Sequence, residues 1–176
     1  MIIKGEKTMK KIAKFEKVSF KQFKEAWLDT FESENNLCEA YEAIKLPKRA
    51  TVGSAGYDFY STLDITLSPG ETAKIPTGIR AKIEEGWVLK VYPRSGLGFK
   101  FRLQLNNTVG IIDSDYYFSD NEGHIFIKIT NDSNEGKVVN IKAGDGFAQG
   151  IFVEYGITVD DEVYETRNGG FGSTNK

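Results

Sequence analysis

The chain has one cysteine, Cys38, and one histidine, His124. A single thiol forms no intrachain disulfide and, within one chain, no thiolate metal cluster, so a reducing cytoplasm is the simplest compartment. Cys38 with His124 as a nucleophilic pair is a remote outlier. Long apolar runs are also missing: no stretch approaches a membrane span, and Met1 to Thr8 lacks the apolar centre of a signal peptide. Met9-Lys10-Lys11 reads as a second candidate start. Neither charge is in surplus. Lys+Arg of 23 against Asp+Glu of 25 leaves a net charge of -2, which argues against a general nucleic-acid or membrane-surface binder. A nucleotide carrying its own metal ion is still compatible with that balance. No solenoid-type repeat recurs, and 176 residues suffice for one domain whose core needs no staples.

What is present divides at about Leu46. Before it, Ile12 to Val18 reads as a short strand, and Ser19-Phe20-Lys21-Gln22 has the Ser-x-x-Gln form of a helix capping box. Phe20, Phe23, Trp27 and Phe31 recur at spacings of three and four, which predicts one apolar helical face through Glu32. A second helix from about Leu37 to Ile44 gathers Leu37, Tyr41 and Ile44. These aromatics read as packing, and nothing in the region looks catalytic.

From Leu46 onward short apolar stretches alternate with Gly, Pro, Asn and Asp, the mark of an all-β sandwich or barrel. Strands are expected at Gly56–Tyr60, Leu63–Leu67, Glu71–Pro76, Ile79–Lys82, Trp87–Tyr92, Arg102–Leu105, Thr108–Ile112, His124–Thr130, Val138–Ile141 and Phe147–Glu154. His124 reads as a strand-edge residue. The expected division is an N-terminal strand and helical extension over 1–45, a β-barrel over 46–166 and a glycine-rich arm over 167–176.

Five segments mix small residues with polar groups inside this plain β chain. In Gly110-Ile111-Ile112-Asp113-Ser114-Asp115-Tyr116 two carboxylates and a phenol fall on what reads as a tight β-turn, and both acids face one side if the chain stays extended. Asp and Ser also dominate ordinary turns, so the run alone does not decide between chemistry and turn-making. Arg94-Ser95-Gly96 offers a guanidinium, a hydroxyl and backbone amides, a set suited to phosphate oxygens. Asp58, after Gly53-Ser54-Ala55-Gly56-Tyr57, is either a turn cap or a group that orients metal-bound water. Gln149, after Gly146-Phe147-Ala148, is placed to bond a neighbouring backbone or a ligand. Phe171, alone among glycines, is a poor core residue and a good lid for a flat ring.

In this order the five segments resemble the motifs of the trimeric dUTPase family, over roughly Leu46 to Thr174. The resemblance implies a distorted, jelly-roll-like β-barrel that hydrolyses dUTP to dUMP and pyrophosphate with Mg2+, limiting uracil in DNA and supplying dUMP for thymidylate synthesis. Asp113 matches the acid that activates the attacking water. Tyr116 matches the phenol whose ring leaves no room for a ribose 2′-hydroxyl. Asn107 and the backbone of Gly110, Ile111 and Ile112 match the part that reads the uracil edge, with Phe126 a further contributor. Arg94, Ser95, Gly96 and Gln149 match the phosphate binders, and Asp58 the acid that orders waters on magnesium. Arg167, Phe171, Gly172, Ser173 and Thr174 resemble an arm that closes over a neighbouring subunit's site, which implies a homotrimer with shared active sites.

Three features depart from the family pattern. The stretch Tyr117 to Glu122 lengthens the base-reading hairpin before Gly123, the arm is one residue short between Arg167 and Phe171, and the helical segment before Leu46 is expected to pack outside the barrel. Two other functions are compatible with the fold: a dCTP deaminase, and a nucleotide-sensing module whose helices engage a protein partner.

Overall fold

Alternation of buried and exposed residues organises most of the chain, as in Leu103-Gln104-Leu105 and Val139-Asn140-Ile141, where the outer two side chains are buried and the middle one is exposed. The structure is a computed structural model that describes residues 9–165. Strand β1 (Ala13–Lys17) leads into helix α1 (Phe20–Phe31) and helix α2 (Leu37–Glu42). Then follow β2 (Lys48–Arg49), β3 (Tyr57–Tyr60), β4 (Ile65–Leu67), β5 (Thr72–Pro76), β6 (Ile79–Ile83) and β7 (Trp87–Pro93). Helix α3 (Ser95–Phe101), β8 (Leu103–Leu105), β9 (Gly110–Ile112), a 3-10 turn (Ser114–Phe118), β10 (Phe126–Asn131), β11 (Val139–Ile141) and β12 (Gly146–Glu154) complete it.

Among the described residues the strands pair antiparallel in four sheets, ordered β1-β6, β5-β10-β8, β11-β4 and β2-β3-β12-β7-β9. They enclose one apolar cluster in which Phe59, Ile75, Leu89, Ile125, Ile129 and Phe147 are fully buried. The mainly β, jelly-roll-like barrel with N-terminal helices is therefore the observed architecture. Among the described residues no helix is long and apolar enough to cross a membrane.

The N-terminal segment, expected outside the barrel, packs against it closely enough to share its core. Its Phe23, Trp27, Leu37 and Ile44 belong to the same cluster as Ile79 and Phe59. Gly78, at φ +70°, lets Phe23 and Ile44 approach: a Cβ there would lie 3.2 Å from a ring carbon of Phe23. Burying each of these large side chains contributes about 1.5–3 kcal/mol, so the segment is part of what holds the barrel together. The reason is the aromatic stripe itself, which packs against β5 and the Gly78 turn that follows it. Phe20 is the exception, since it lies on the outer edge of the stripe and stays exposed.

Two elements differ from the expected pattern. Ser95–Phe101, where no regular element was expected, is a short helix whose Leu97 and Phe101 pack against the core. Tyr117 to Glu122 does not extend a hairpin; it continues the 3-10 turn and folds back on β6, where Arg80 donates to the Tyr117 carbonyl at 2.8 Å and its guanidinium lies 3.6 Å from the Tyr117 ring centroid.

Candidate active site

Most of the expected site residues that the structure describes border two clefts, while Asp58, Asp113 and Gln149 are not among the residues lining either. The larger, about 560 Å³, is bordered by Asn107, Gly110, Ile111, Ile112, Tyr116 and Phe126. Its floor is β9, the edge strand of the five-stranded sheet, paired to β7 on one side. An edge strand keeps backbone donors and acceptors for a ligand, and alternating side chains leave them accessible. Gly110 is needed there: a Cβ would come within 3.2 Å of the Val91 Cβ on the paired strand. Asn107 sits in the β8–β9 turn, where Thr108 adopts φ +65° and donates to the Leu105 carbonyl at 2.9 Å.

Tyr116 is buried on the cleft wall. Its hydroxyl donates to the His124 carbonyl at 2.7 Å and accepts from Asn121 Nδ2 at 2.8 Å. Phe126 opens β10, with its ring centroid 4.4 Å from that of His124 and Lys74 Nζ 4.7 Å away on the other flank. Lys74 is in turn paired with Asp29 of α1 at 2.8 Å. His124 is not a strand-edge residue but fully buried, accepting the Gly78 N–H on Nε2 at 2.9 Å. Burial pushes its pKa down to about 3, so it is neutral at physiological pH.

Asp113 follows β9 directly. Its backbone is extended (φ −77°, ψ 159°) at the cap of the 3-10 turn, and its carboxylate does not cap that turn. The turn then bends the chain, so Asp113 and Asp115 do not share one side of an extended segment. Asp113 is half-buried, and Asp115 is exposed inside the turn.

The second cleft, about 350 Å³, is bordered by Arg94, Ser95, Gly96, Asn140, Asp145 and Gly146. Arg94 caps α3, and the first-turn amides of a helix point outward without intrahelical acceptors. Arg94 Nε lies 3.3 Å from Asp58 Oδ1, and its Nη1 donates to the Gly146 carbonyl at 3.3 Å. Gly146 lets the Arg94 side chain lie against its backbone: a Cβ there would stand 2.9 Å from Nη1, and the guanidinium would have to shift. Gln149 is level with Asp58 across the β12–β3 ladder and with Tyr92 across β12–β7, and it donates to the Pro93 carbonyl at 3.3 Å. Gly56 makes the room for it: a Cβ at 56 would fall 2.8 Å from Gln149 Oε1. Asp58, Arg94 and Gln149 are thus brought together.

Asp113 and Arg94 lie at opposite ends of one strand pair. Ile112 faces Leu89 and Gly110 faces Val91. Asp113 therefore lies level with Val88, whereas Arg94 follows Pro93 at the other end of β7. The intervening extended chain spans roughly 20 Å at about 3.3 Å per residue. Arg167, Phe171, Gly172, Ser173 and Thr174 lie outside the described residues.

A family model described as dUTPase matches residues 42–175. The chain belongs to the dUTPase family. The deoxyuridine 5′-triphosphate nucleotidohydrolase of Lactococcus lactis is 44% identical over 134 residues, covering 74% of this chain and 88% of the relative. The crystal structure of the dUTPase from Streptococcus mutans superposes with a TM-score of 0.60 at 33% identity, over 82% of this chain and 97% of the other. A mutant dUTPase from Staphylococcus aureus phage phi11, described as coordinating a structural Mg(II) ion, gives a TM-score of 0.57 at 27% identity, over 70% and 92%. The barrel with its jelly-roll-like sheets is the dUTPase fold, and membership makes the chain a hydrolase of the dUTPase type.

Residues beyond those expected also border the clefts, namely Lys74, Asn106 and Lys128 on the first and Asn140 and Asp145 on the second. Asp145 carried a signal, since it lies in the Gly144-Asp145-Gly146 turn next to Gln149's motif. Lys74 carried none: an alternating lysine on a strand looks like a solvated face. Among the described residues no group of three or more His, Cys, Asp or Glu could hold a metal ion.

Proposed function

We propose that this dUTPase-family chain hydrolyses dUTP to dUMP and pyrophosphate, with Asp113 as general base. The observation that carries the reading is the run Gly110–Tyr116, which sets an edge strand and a buried phenol along one cleft and places the Asp113 carboxylate directly after that strand. The base enters edge-on, hydrogen-bonded by the backbone of Gly110 to Ile112 and by Asn107, and flanked by Phe126. A cytosine would meet mismatched donors there. The Tyr116 ring lies under the sugar and excludes a 2′-hydroxyl. Asp113 takes a proton from a water aimed at the α-phosphorus; the new P–O bond forms as the bond to the bridging oxygen breaks and pyrophosphate leaves. Base catalysis of this kind is worth roughly 10²–10⁴-fold.

Arg94, Ser95, Gly96 and Gln149 bind the phosphates through charge and first-turn amides. Magnesium prefers oxygen ligands and keeps several waters, so a triphosphate supplies much of its shell and a single nearby carboxylate suffices. Asp58 fits that part, beside the cation that binds the phosphates. When bound, the ion offsets phosphate charge.

Because Asp113 and Arg94 stand at opposite ends of β7 and β9, one chain cannot bring both to one nucleotide. We infer that the site is completed between copies in a homotrimer, with Arg167, Phe171, Gly172, Ser173 and Thr174 closing a neighbour's site. The exposed apolar residues Ile157, Val159, Val163 and Tyr164 after β12 support an assembly that covers them.

Pyrophosphate release from dUTP, UTP, dCTP and dTTP tests the reading. Turnover of dUTP far above the others is expected. Ammonia released from dCTP would assign the chain to deamination instead, and equal turnover of dUTP and UTP would refute the part given to Tyr116.

A further inference from the structure

Tyr116 is held by more than packing. Its hydroxyl has one proton, which goes to the His124 carbonyl at 2.7 Å, so toward Asn121 it acts as an acceptor, and Nδ2 of Asn121 donates to it at 2.8 Å. The orientation of the Asn121 amide is set from its other end. Oδ1 faces the Gly123 N–H at 3.1 Å, a donor that an NH2 group could not satisfy. The Ser119 hydroxyl, 2.9 Å from the same Oδ1 and 2.6 Å from the Tyr116 carbonyl, joins the two ends of the turn. Gly123 closes the circuit at φ +70°, where a Cβ would lie 2.7 Å from the Tyr117 Cα.

Asn121 belongs to the stretch that departs from the family pattern, and the next residue, Glu122, is anchored on Ser19. The turn is thereby fixed on both sides of the amide. A tilt or slide of the Tyr116 ring breaks both hydrogen bonds at its hydroxyl, of which the one to the His124 carbonyl is buried.

We propose that Asn121 is a positioning residue for sugar discrimination: its Nδ2–Oη bond holds the Tyr116 ring where a ribose 2′-hydroxyl cannot fit. This rests on the reading of Tyr116 as the sugar gate. The long turn after Tyr116 is, on this view, the device that stiffens the gate.

The test compares kcat/KM for dUTP and for UTP in the full-length protein, in Asn121→Asp, in Tyr116→Phe and in the double variant. Asp keeps an acceptor for Ser119 and Gly123 but turns an acceptor toward Oη, which cannot donate twice; Phe removes the oxygen with no added bulk. Asn121→Asp is expected to lower the dUTP/UTP ratio roughly five- to tenfold, the scale of one lost hydrogen bond, and Tyr116→Phe, which also loses the bond to His124, at least as far. The change should fall on KM for UTP more than on kcat for dUTP, and the double variant should fall no further than Tyr116→Phe alone. A preserved ratio in Asn121→Asp alongside a reduced one in Tyr116→Phe overturns the inference and leaves the gate intact. Should Asn121→Asp not fold, as judged by its thermal melt, Tyr116→Phe decides, and an unchanged ratio there overturns it. Equal use of dUTP and UTP by the unaltered protein overturns the gate reading and this inference together.

Discussion

The carboxylate of Glu122 accepts two hydrogen bonds from Ser19, one from its backbone N–H at 2.8 Å and one from its hydroxyl at 2.6 Å. Ser19 is the N-cap of α1, and its Oγ accepts the Gln22 N–H at 3.1 Å. A capping box normally closes from within the helix. Here the reciprocal acceptor is supplied by the turn after Tyr116, so the N-terminal helix and the edge of the larger cleft share one joint.

Glu122→Gln should therefore weaken the whole fold. One charge-assisted bond is lost at a half-buried site, a cost of about 1 kcal/mol, and the melting temperature should drop by about 2–4 °C. The pH dependence separates this from a local effect. Burial pushes the Glu122 carboxyl up, but the two bonds from Ser19 and the nearby Arg80 charge outweigh it, and the group is held below its ordinary value of 4.5. A lowered folded pKa stabilises above the unfolded value and loses that contribution as pH falls through the folded one. The gap between the two proteins should be widest near neutrality and close below about pH 4.5. Equal melting temperatures at pH 7 would contradict the joint.

His124 predicts a separate acid limb. Its pKa falls from 6.5 to about 3 on folding, chiefly through burial, with the charge of Glu122 opposing the fall and that of Lys74 adding to it. The unfolded chain then binds a proton that the folded chain refuses. Stability is full above about pH 6.5 and declines by up to about 1.4 kcal/mol per pH unit between about 6.5 and about 3. His124→Gln keeps an acceptor near the Gly78 N–H and removes the titration. It should be less stable at pH 8 and show a flatter decline between pH 6.5 and pH 5 in urea midpoints. An equally steep decline in the variant would show that other groups carry it.

Gly123→Ala should be the costliest single-methyl change in the turn. The backbone stands at φ +70°, and the added Cβ would lie 2.7 Å from the Tyr117 Cα and 2.8 Å from the Tyr116 carbonyl oxygen. Neither contact is to the flexible end of a side chain, so the turn itself must shift. A loss of about 2–4 kcal/mol follows, readable as a lower urea midpoint. Gly136, also at φ +70° but with nothing within 4 Å of a Cβ, is the control, and its alanine variant should lose about 1 kcal/mol from backbone strain alone.

Periodicity made most of the barrel legible. Strands such as Trp87–Pro93 and Gly146–Glu154 fall within a residue of the expected bounds, because apolar residues bounded by turn chemistry state both type and extent. Helix α3 was illegible for a physical reason: Ser-Gly-Leu-Gly has poor helix propensity, and the segment is helical because Leu97 and Phe101 find the core. His124 misled because one polar residue at a strand start looks like an edge, while its burial depends on Phe23 and Gly78 from elsewhere in the chain. The candidate site residues could be named from motifs, but their separation into two clefts depends on strand register. Nor does any local pattern tie Glu122 to Ser19, since that contact links two segments that each depart from the family pattern.

The separation of Asp113 from Arg94 leads to a complementation prediction. Asp113→Asn and Arg94→Ala should each release pyrophosphate from dUTP at roughly 1% of the unaltered rate or less, as expected for loss of a general base or of a phosphate-binding charge. If each site takes Asp113 from one chain and Arg94 from another, unfolding and refolding the two variants together in equal amounts creates sites in which both residues are intact. Random assembly of a closed three-fold ring makes roughly one site in four complete, so about a quarter of full activity should return. The same mixture left unrefolded should stay inactive if subunits do not exchange. Were both residues contributed by one chain, no mixture would recover, because every chain carries one of the two substitutions.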